Sequence, residues 1–427
     1  MARKVVVTGV GALTSLGLNC ADTWNSIINS KSGIKRISKI DINEQPDSIS
    51  KVAGEIEVGE DKPGVFNPDY LFPDKKDVNR TAEFIWYALA VAKEAISDAG
   101  LEQEKNEYEL SRTGVIMASG VGGLEQIQNT GIDSFRKGIR RISPFFVPQS
   151  LINMAAGHIS IIHGLGGPSL AISSACSTGT HAIGEAMEMI KRGDVDVMVA
   201  GSTEAPLCTL GVGGFSSMHA LSTKFNNEPE KASRPWDRDR DGFVISEGAA
   251  ALILEEYEHA KKRNARIYCE VVGYGASSDA YHITAPDPDG RGAKRAMKMA
   301  LDKAGLNASD IDYINAHGTS TIIGDRVEFA AIRDTFSSSI SKKLLMSSTK
   351  SALGHMLGAA GSIEAVLMVK TIETGVVPPT LNLDNPDDNC LGINLVPHVA
   401  VETKVNCALS NSFGFGGTNA TIVMKNI

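Results

Sequence analysis

The sequence predicts an α/β protein built from two related halves. Three observations carry this expectation. Runs of β-branched residues alternate with helical patterns along the chain, the pattern of strands and helices in layered α/β folds. Two distant segments repeat one another element by element. The chain has 427 residues, 42% hydrophobic and 22% charged, enough for about two to three domain-sized units with a sizeable core.

The repeat can be followed in order. Val5-Val6-Val7-Thr8-Gly9-Val10-Gly11-Ala12 is similar to Cys269-Glu270-Val271-Val272-Gly273-Tyr274-Gly275-Ala276. Each reads as a strand running into a glycine turn. The spacing next predicts a helix over about 81–99, with Phe84, Ile85, Ala88, Leu89, Ala92, Ala95 and Ile96 on one face and Gly100 as terminator. Its counterpart covers about 291–304, with Ala293, Ala296, Met297, Ala300 and Leu301 on one face and Gly305 at the end. Strands then lead to Gly120 and to Gly318. Ser173-Ser174-Ala175-Cys176 opens a helix over about 177–192 ended by Gly193, and Ser347-Ser348-Thr349-Lys350 leads to one over about 358–374 ended by Gly375. The alternation argues for parallel-rich sheets. A polar helical stretch at 255–263 marks the boundary, giving halves 1–258 and 259–427. The first is longer, and 202–240, rich in Gly, Ser and charge, reads as an insertion.

Composition narrows the function. A net charge of −8 disfavours nucleic acid and anionic membranes as general partners. No stretch approaches the roughly 20 apolar residues of a membrane span, and the run Val5-Val6-Val7 ends too soon for a signal peptide. The six cysteines, Cys20, Cys176, Cys208, Cys269, Cys390 and Cys407, show no CxxC spacing, so neither a zinc site nor a redox motif is indicated. They read as reduced thiols in a cytoplasmic setting.

Cys176 stands apart from the others. It ends an apolar strand and begins a helix of small residues, Ser177-Thr178-Gly179-Thr180. The partial positive charge and free N–H groups of a helix N-terminus favour a thiolate there, in the manner of a nucleophile elbow. The alternative is a buried cysteine at a tight turn. His317, in Asn315-Ala316-His317-Gly318-Thr319-Ser320-Thr321, closes a predicted strand. His355, in Lys350-Ser351-Ala352-Leu353-Gly354-His355, sits between glycines ahead of a helix. Two histidines in echoing places, matched to one cysteine, point to catalysis more than a lone histidine does. A third element, Asn411-Ser412-Phe413-Gly414-Phe415-Gly416-Gly417-Thr418-Asn419, follows the strand over 405–410. Its glycines let a backbone N–H approach a reacting atom, as half of an oxyanion hole; the alternative is a flexible hairpin.

These motifs, with Ser233-Arg234-Pro235-Trp236-Asp237 and Gly242-Phe243-Val244, resemble those of the β-ketoacyl-acyl carrier protein synthases, the elongating condensing enzymes of the thiolase superfamily. The resemblance implies a thiolase-like duplicated fold of five layers, α-β-α-β-α, in a homodimer. It implies decarboxylative condensation of acyl- and malonyl-acyl carrier protein, with Cys176 as nucleophile and His317 and His355 as donors to the enolate. No cofactor and no metal are implied. Lys350 and Glu364 would form a supporting pair, Phe415 would offer a backbone N–H, and Asp325 and Glu328 would support the site. Val121, Phe146 and Phe413 would line the acyl pocket. Lys76, Arg80, Arg140 and Arg141 would dock the acidic carrier protein. His219 stands where relatives often carry arginine, with Lys224 nearby.

The rivals are a polyketide ketosynthase, which shares the three catalytic residues, and a thiolase, which would need a second cysteine where Phe413 and Phe415 lie. A chain-length partner subunit would lack Cys176. A cysteine hydrolase would pass the acyl group to water.

Overall fold

The computed structural model describes residues 3–42, 44–60, 62–101, 106–337 and 344–427. Ten strands form one continuous mixed sheet: β1 (Val5–Thr14), β2 (Thr113–Ala118), β3 (Ser169–Leu170), β4 (Val197–Glu204), β5 (Gly248–Glu256), β6 (Cys269–Ser278), β7 (Tyr313–Asn315), β8 (Leu345–Ser347), β9 (Cys407–Gly414) and β10 (Thr418–Lys425). In space they run β3-β2-β4-β5-β1 and then β6-β10-β9-β7-β8. The second series is the first in mirror order, so the repeat read in the sequence is a repeat of topology. The halves join where β1 meets β6, with Val6 opposite Glu270 and Val7 opposite Cys269.

The expectation of parallel-rich sheets needs correction. In each half the outer three strands pair in parallel and the inner two join antiparallel: β4 with β5 and β5 with β1, β9 with β10 and β10 with β6. The residue pattern of a strand buried on both faces does not distinguish parallel from antiparallel neighbours, whether it is apolar like β5 or carries Ser and Asn like β9. Alternation shows in the burial. Val115, Met117, Val197, Val199, Ala249 and Ala251 face one core, while Ile116, Ala118, Met198, Ala200, Ala250 and Leu252 face another. Both faces of the sheet are therefore covered, which is why these strands read as continuous apolar stretches.

Helices supply the remaining layers. α1 (Glu83–Asp98) lies on β1, β5 and β4; α2 (Thr178–Arg192) and α5 (Ala360–Thr374) pack against each other between the halves; α3 (Arg291–Ala304) and α4 (Ile322–Thr335) pack together, α3 lying on β6 and β10. The order is α-β-α-β-α. α5 is buried around nearly its whole circumference, as a central-layer helix must be. The segment 202–240 begins inside β4 and then forms a helix, Thr209–Ser217. Its charges are not all surface ones: Arg234, Asp237 and Arg240 are buried and paired, with Arg234 donating to Asp237 at 2.9 Å. No helix of the described residues is long and apolar enough to cross a membrane.

Candidate active site

The ends of β3, β7 and β8 and the tip of the β9–β10 hairpin converge on one point. Cys176 lies in the tight turn Ala175–Ser177 that leads into α2. Ala175 has φ of 50°, the left-handed backbone of a sharp strand-to-helix turn. His317 follows β7, and His355 follows the short helix Lys350–Leu353 after β8. The sulfur of Cys176 and one ring nitrogen of each histidine lie within 4.8 Å of one another. The two imidazoles meet edge to face, with centroids 5.4 Å apart.

The glycine-rich element is a hairpin rather than a loop after a strand ending at 410. Phe413 pairs with Asn419 and Gly414 with Thr418, so the ladder runs to the tip, where Gly416 and Gly417 adopt φ of 84° and 71°. Side chains of the nucleophile turn hold this hairpin. The Ser177 hydroxyl lies 2.9 Å from both the Ser412 and Thr418 carbonyls, and Thr418 Oγ1 donates to the Ser174 carbonyl at 3.0 Å. Gly414 passes so close that a Cβ there would come within 2.8 Å of the Ser174 oxygen and 3.1 Å of the Cys176 nitrogen. The backbone N–H groups of Phe415 and of Cys176 both face the sulfur.

Electrostatics corrects one expectation. The helix N-terminus does not make Cys176 a resting thiolate. Burial pushes its thiol up to about 11, and Glu204 adds to the rise; Lys350 and the two N–H groups pull the other way without overcoming burial. Burial and the charge of Lys350 hold both imidazoles well below their ordinary value, and His355 adds to the effect on His317. At neutral pH each is therefore uncharged and carries one N–H. Lys350 is buried and ion-paired to buried Glu364, whose carboxyl burial raises to about 7.

Glu328 accepts the backbone N–H groups of His317 and Gly318, both at 2.7 Å, and so fixes the histidine's main chain. Asp325 is one step removed: it accepts from Trp236 and Ser320 and faces Arg240 at 3.3 Å. A cavity of about 330 Å³ opens onto Cys176, His317 and His355. Phe413, Phe415 and His219 line it, whereas Val121 and Phe146 lie outside this lining, both half-buried. Lys76, Arg80, Arg140 and Arg141 are exposed. The Arg80 guanidinium sits 5.3 Å from the Phe145 ring centre, which places the two basic segments side by side. Arg80 also pairs with Asp77 at 2.8 Å.

The chain matches the family model "Beta-ketoacyl synthase, N-terminal domain" over residues 2–260 and its C-terminal counterpart over 268–384. The chain belongs to the β-ketoacyl synthase family. It is 50% identical to a 3-oxoacyl-[acyl-carrier-protein] synthase 2 of Rhizobium meliloti, over 99% of each chain. It is 47% identical to a protein of the same name from Vibrio cholerae, again over 99% of each. Among solved structures it is similar to a β-ketoacyl synthase from Burkholderia phymatum (TM-score 0.88, 33% identity, all of both chains). It is equally similar to a type II polyketide ketosynthase described in complex with its acyl-carrier protein (TM-score 0.89, 33% identity, all of both chains). The solved relatives share the thiolase-like ketosynthase fold seen here.

Two features of this β-ketoacyl synthase were not read as functional in the sequence. Phe243 packs edge-on against His355, ring centres 5.2 Å apart, and the Val244 carbonyl accepts the His355 N–H at 2.7 Å. A phenylalanine beside a glycine, directly after the charged run Arg238–Asp241, was the available signal. The other is Glu204, whose role depends on partners far away in the chain.

Proposed function

We propose that the chain elongates fatty acyl chains by decarboxylative condensation of acyl-acyl carrier protein with malonyl-acyl carrier protein. The observation that carries this is the meeting of one buried thiol with two neutral imidazoles at the foot of a cavity. The thiol attacks the acyl thioester, and its proton leaves on the carrier's thiol, so the exchange needs no strong base. The oxyanion formed at the acyl carbon meets the N–H groups of Cys176 and Phe415. Malonyl thioester then loses carbon dioxide, and negative charge gathers on its thioester oxygen. Two neutral N–H donors, His317 and His355, suit that oxygen. The enolate carbon attacks the acyl-cysteine, the sulfur departs and is reprotonated, and the product is a β-ketoacyl chain two carbons longer.

Roles for the other residues follow from their places. Lys350 favours both the thiolate and the uncharged imidazoles, and Glu364 holds it. Glu328 positions His317, and Asp325 braces the turn beyond. Phe413, at 5.8 Å from the His317 ring, forms a wall of the pocket; Val121 and Phe146 are proposed for a deeper acyl channel. The exposed cations Lys76, Arg80, Arg140 and Arg141 are the proposed dock for an acidic carrier protein, with His219 at the cavity. Segments 1–258 and 259–427 are the two functional halves. A homodimer is supported by exposed apolar side chains, Phe135 (93% exposed), Ile139 (80%) and Ile161 (76%), the last on the helix Met154–His163 that packs on the edge strand β3. The six buried free cysteines suit a cytoplasmic setting.

The experiment is a product assay with acyl- and malonyl-acyl carrier proteins of defined chain length. Appearance of the two-carbon-longer β-ketoacyl product with equimolar carbon dioxide supports the reading. Release of free acid from the acyl-enzyme, with no elongation, would replace it with a hydrolase.

A further inference from the structure

One buried ionisable group beside the site is given no step in that reaction. Glu204 ends β4, is fully buried, and accepts its hydrogen bonds from neutral donors. Its Oε1 takes the Ser119 hydroxyl and the N–H groups of Gly120 and Val121, the latter two at 2.9 and 3.1 Å. Its Oε2 takes the N–H of Gly358 at 3.3 Å. The first three donors belong to the loop after β2, which carries Val121. Gly358 lies three residues beyond His355, in the turn Leu357–Ala359.

The contact between these segments leaves no slack. A Cβ on Gly358 would come within 2.6 Å of the Gly120 nitrogen, and one on Gly120 within 2.9 Å of the Glu204 carboxylate. The Ser173 hydroxyl donates to the Gly120 carbonyl at 3.2 Å, which ties the same loop to the approach to Cys176. The second half holds a matching device. After β7, the equivalent of β2, Glu328 gathers the N–H groups of His317 and Gly318. There the held residue is itself at the reaction centre.

We propose that Glu204 is a positioning residue that holds the turn behind His355 against the Ser119–Val121 loop, so that malonyl decarboxylation depends on it and acylation of Cys176 does not. Two segments from opposite halves share one carboxylate, and only a carboxylate offers acceptors on both oxygens. Loss of one oxygen frees the His355 turn by a fraction of an ångström. Donors to a developing oxyanion are sensitive to displacements of that size.

Glu204→Gln tests this. With its amide oxygen in the place of Oε1, the variant keeps all three loop donors and turns an NH₂ group toward the Gly358 N–H. Among these hydrogen bonds it cuts one; it also removes the charge that helps to raise the Cys176 thiol, a change that favours acylation. The inference rests on the condensing reading above, and wild-type protein run alongside separates the two: if wild type neither acylates nor decarboxylates, the reading of function falls. With wild type competent, carbon dioxide release from malonyl-acyl carrier protein should drop about tenfold or more in the variant. Acyl transfer to Cys176, followed by intact mass, should fall by no more than about threefold. Equal loss of both half-reactions, or loss of neither, overturns the proposal. If the Gln variant does not fold, Glu204→Asp, one methylene short of bridging both segments, is read by the same split. Ser119→Ala, which weakens only the loop side, should alter the acyl chain-length profile while carbon dioxide release holds; a matching fall in release would also overturn it.

Discussion

The two halves end their second strands alike and use the result differently. After β2 a buried glutamate, Glu204, collects consecutive backbone N–H groups; after β7 another, Glu328, does the same. The turns that follow the third strands diverge further. After β3 the turn presents Cys176, and after β8 it presents Ser348, Thr349 and Lys350. One frame, used twice, thus supplies a sulfur from one side and two imidazoles and a cation from the other. The division has an electrostatic consequence. Burial, aided by the charge of Lys350 from the second half, keeps both histidines neutral, and the same charge lowers the thiol of the first. A single copy of the frame could offer a nucleophile or its field, but not both.

The largest effect should come from removing the first half's contribution. Cys176→Ala is expected to abolish acyl-enzyme formation and condensation, read by intact mass and product assay. Cys176→Gln should keep carbon dioxide release, because its amide resembles the acyl-enzyme and the second half is untouched. An acyl adduct on any other cysteine as the productive intermediate would break the comparison. The next largest effect lies in the second half. His317→Ala and His355→Ala should each cut malonyl decarboxylation about a hundredfold, or on the order of 3 kcal/mol, the usual toll of one oxyanion donor. Some acyl transfer to Cys176 should survive. If transfer vanished and decarboxylation persisted, the histidines would serve the thiol and the roles would be exchanged.

Lys350→Met should sharpen the link between the halves. The cation lowers the Cys176 thiol, so its removal raises a value that burial has already pushed to about 11. The thiolate fraction at any pH below that value then falls, and iodoacetamide alkylation at pH 8 should slow by about tenfold for each unit of rise. The same loss relieves both imidazoles, whose ordinary value lies above their buried one. The acid limb of carbon dioxide release should therefore move toward higher pH. Both shifts must appear together. Slower alkylation with an unmoved acid limb would mean that Lys350 acts on the sulfur alone.

How far the sequence carried the reading differs by residue type. Cys176, His317 and His355 each sit at a strand or helix end marked by glycine or small residues, and that local pattern survives in one dimension. The helix over 291–304 and the repeat of strands were equally legible, because periodicity is local. Glu204 was not. Nothing in Ser202-Thr203-Glu204-Ala205 announces a group that collects donors from Ser119, Gly120, Val121 and Gly358. The thiolate expected of Cys176 failed for a related reason. A helix N-terminus is visible in sequence, whereas the desolvation that outweighs it is a property of the packed core. The mixed pairing of the sheet was also hidden, since the residues of a strand buried on both faces do not say which way its neighbour points.

The smallest effect concerns the place where the second half reaches over the first. The β9–β10 tip lays Phe415 beside the sulfur, and its anchors are of two kinds. On one side the nucleophile turn holds Ser412 and Thr418. On the other the Gly416 N–H donates to the Ile283 carbonyl at 2.7 Å, and the Gly417 carbonyl accepts from Asp279 at 2.8 Å. Between them, Gly416 and Gly417 occupy backbone conformations open chiefly to glycine. The ring of Phe415 lines the cavity while its N–H faces the sulfur. We propose that an acyl chain entering past that ring displaces it, with the glycines absorbing the change as hinges. On that proposal malonyl binding becomes productive only after acylation has moved the ring, which would order the two substrates. Phe415→Ala keeps the N–H and removes the ring. Acyl transfer should change by no more than about threefold, while premature carbon dioxide release from malonyl-acyl carrier protein, before any acyl group is loaded, should rise. A ring that serves only as packing would instead lower thermal stability and leave substrate order as it was. Structures of the free and acylated protein with superimposable residues 413–417, and with the acyl chain visible, would remove the gate and leave the hairpin as a fixed wall.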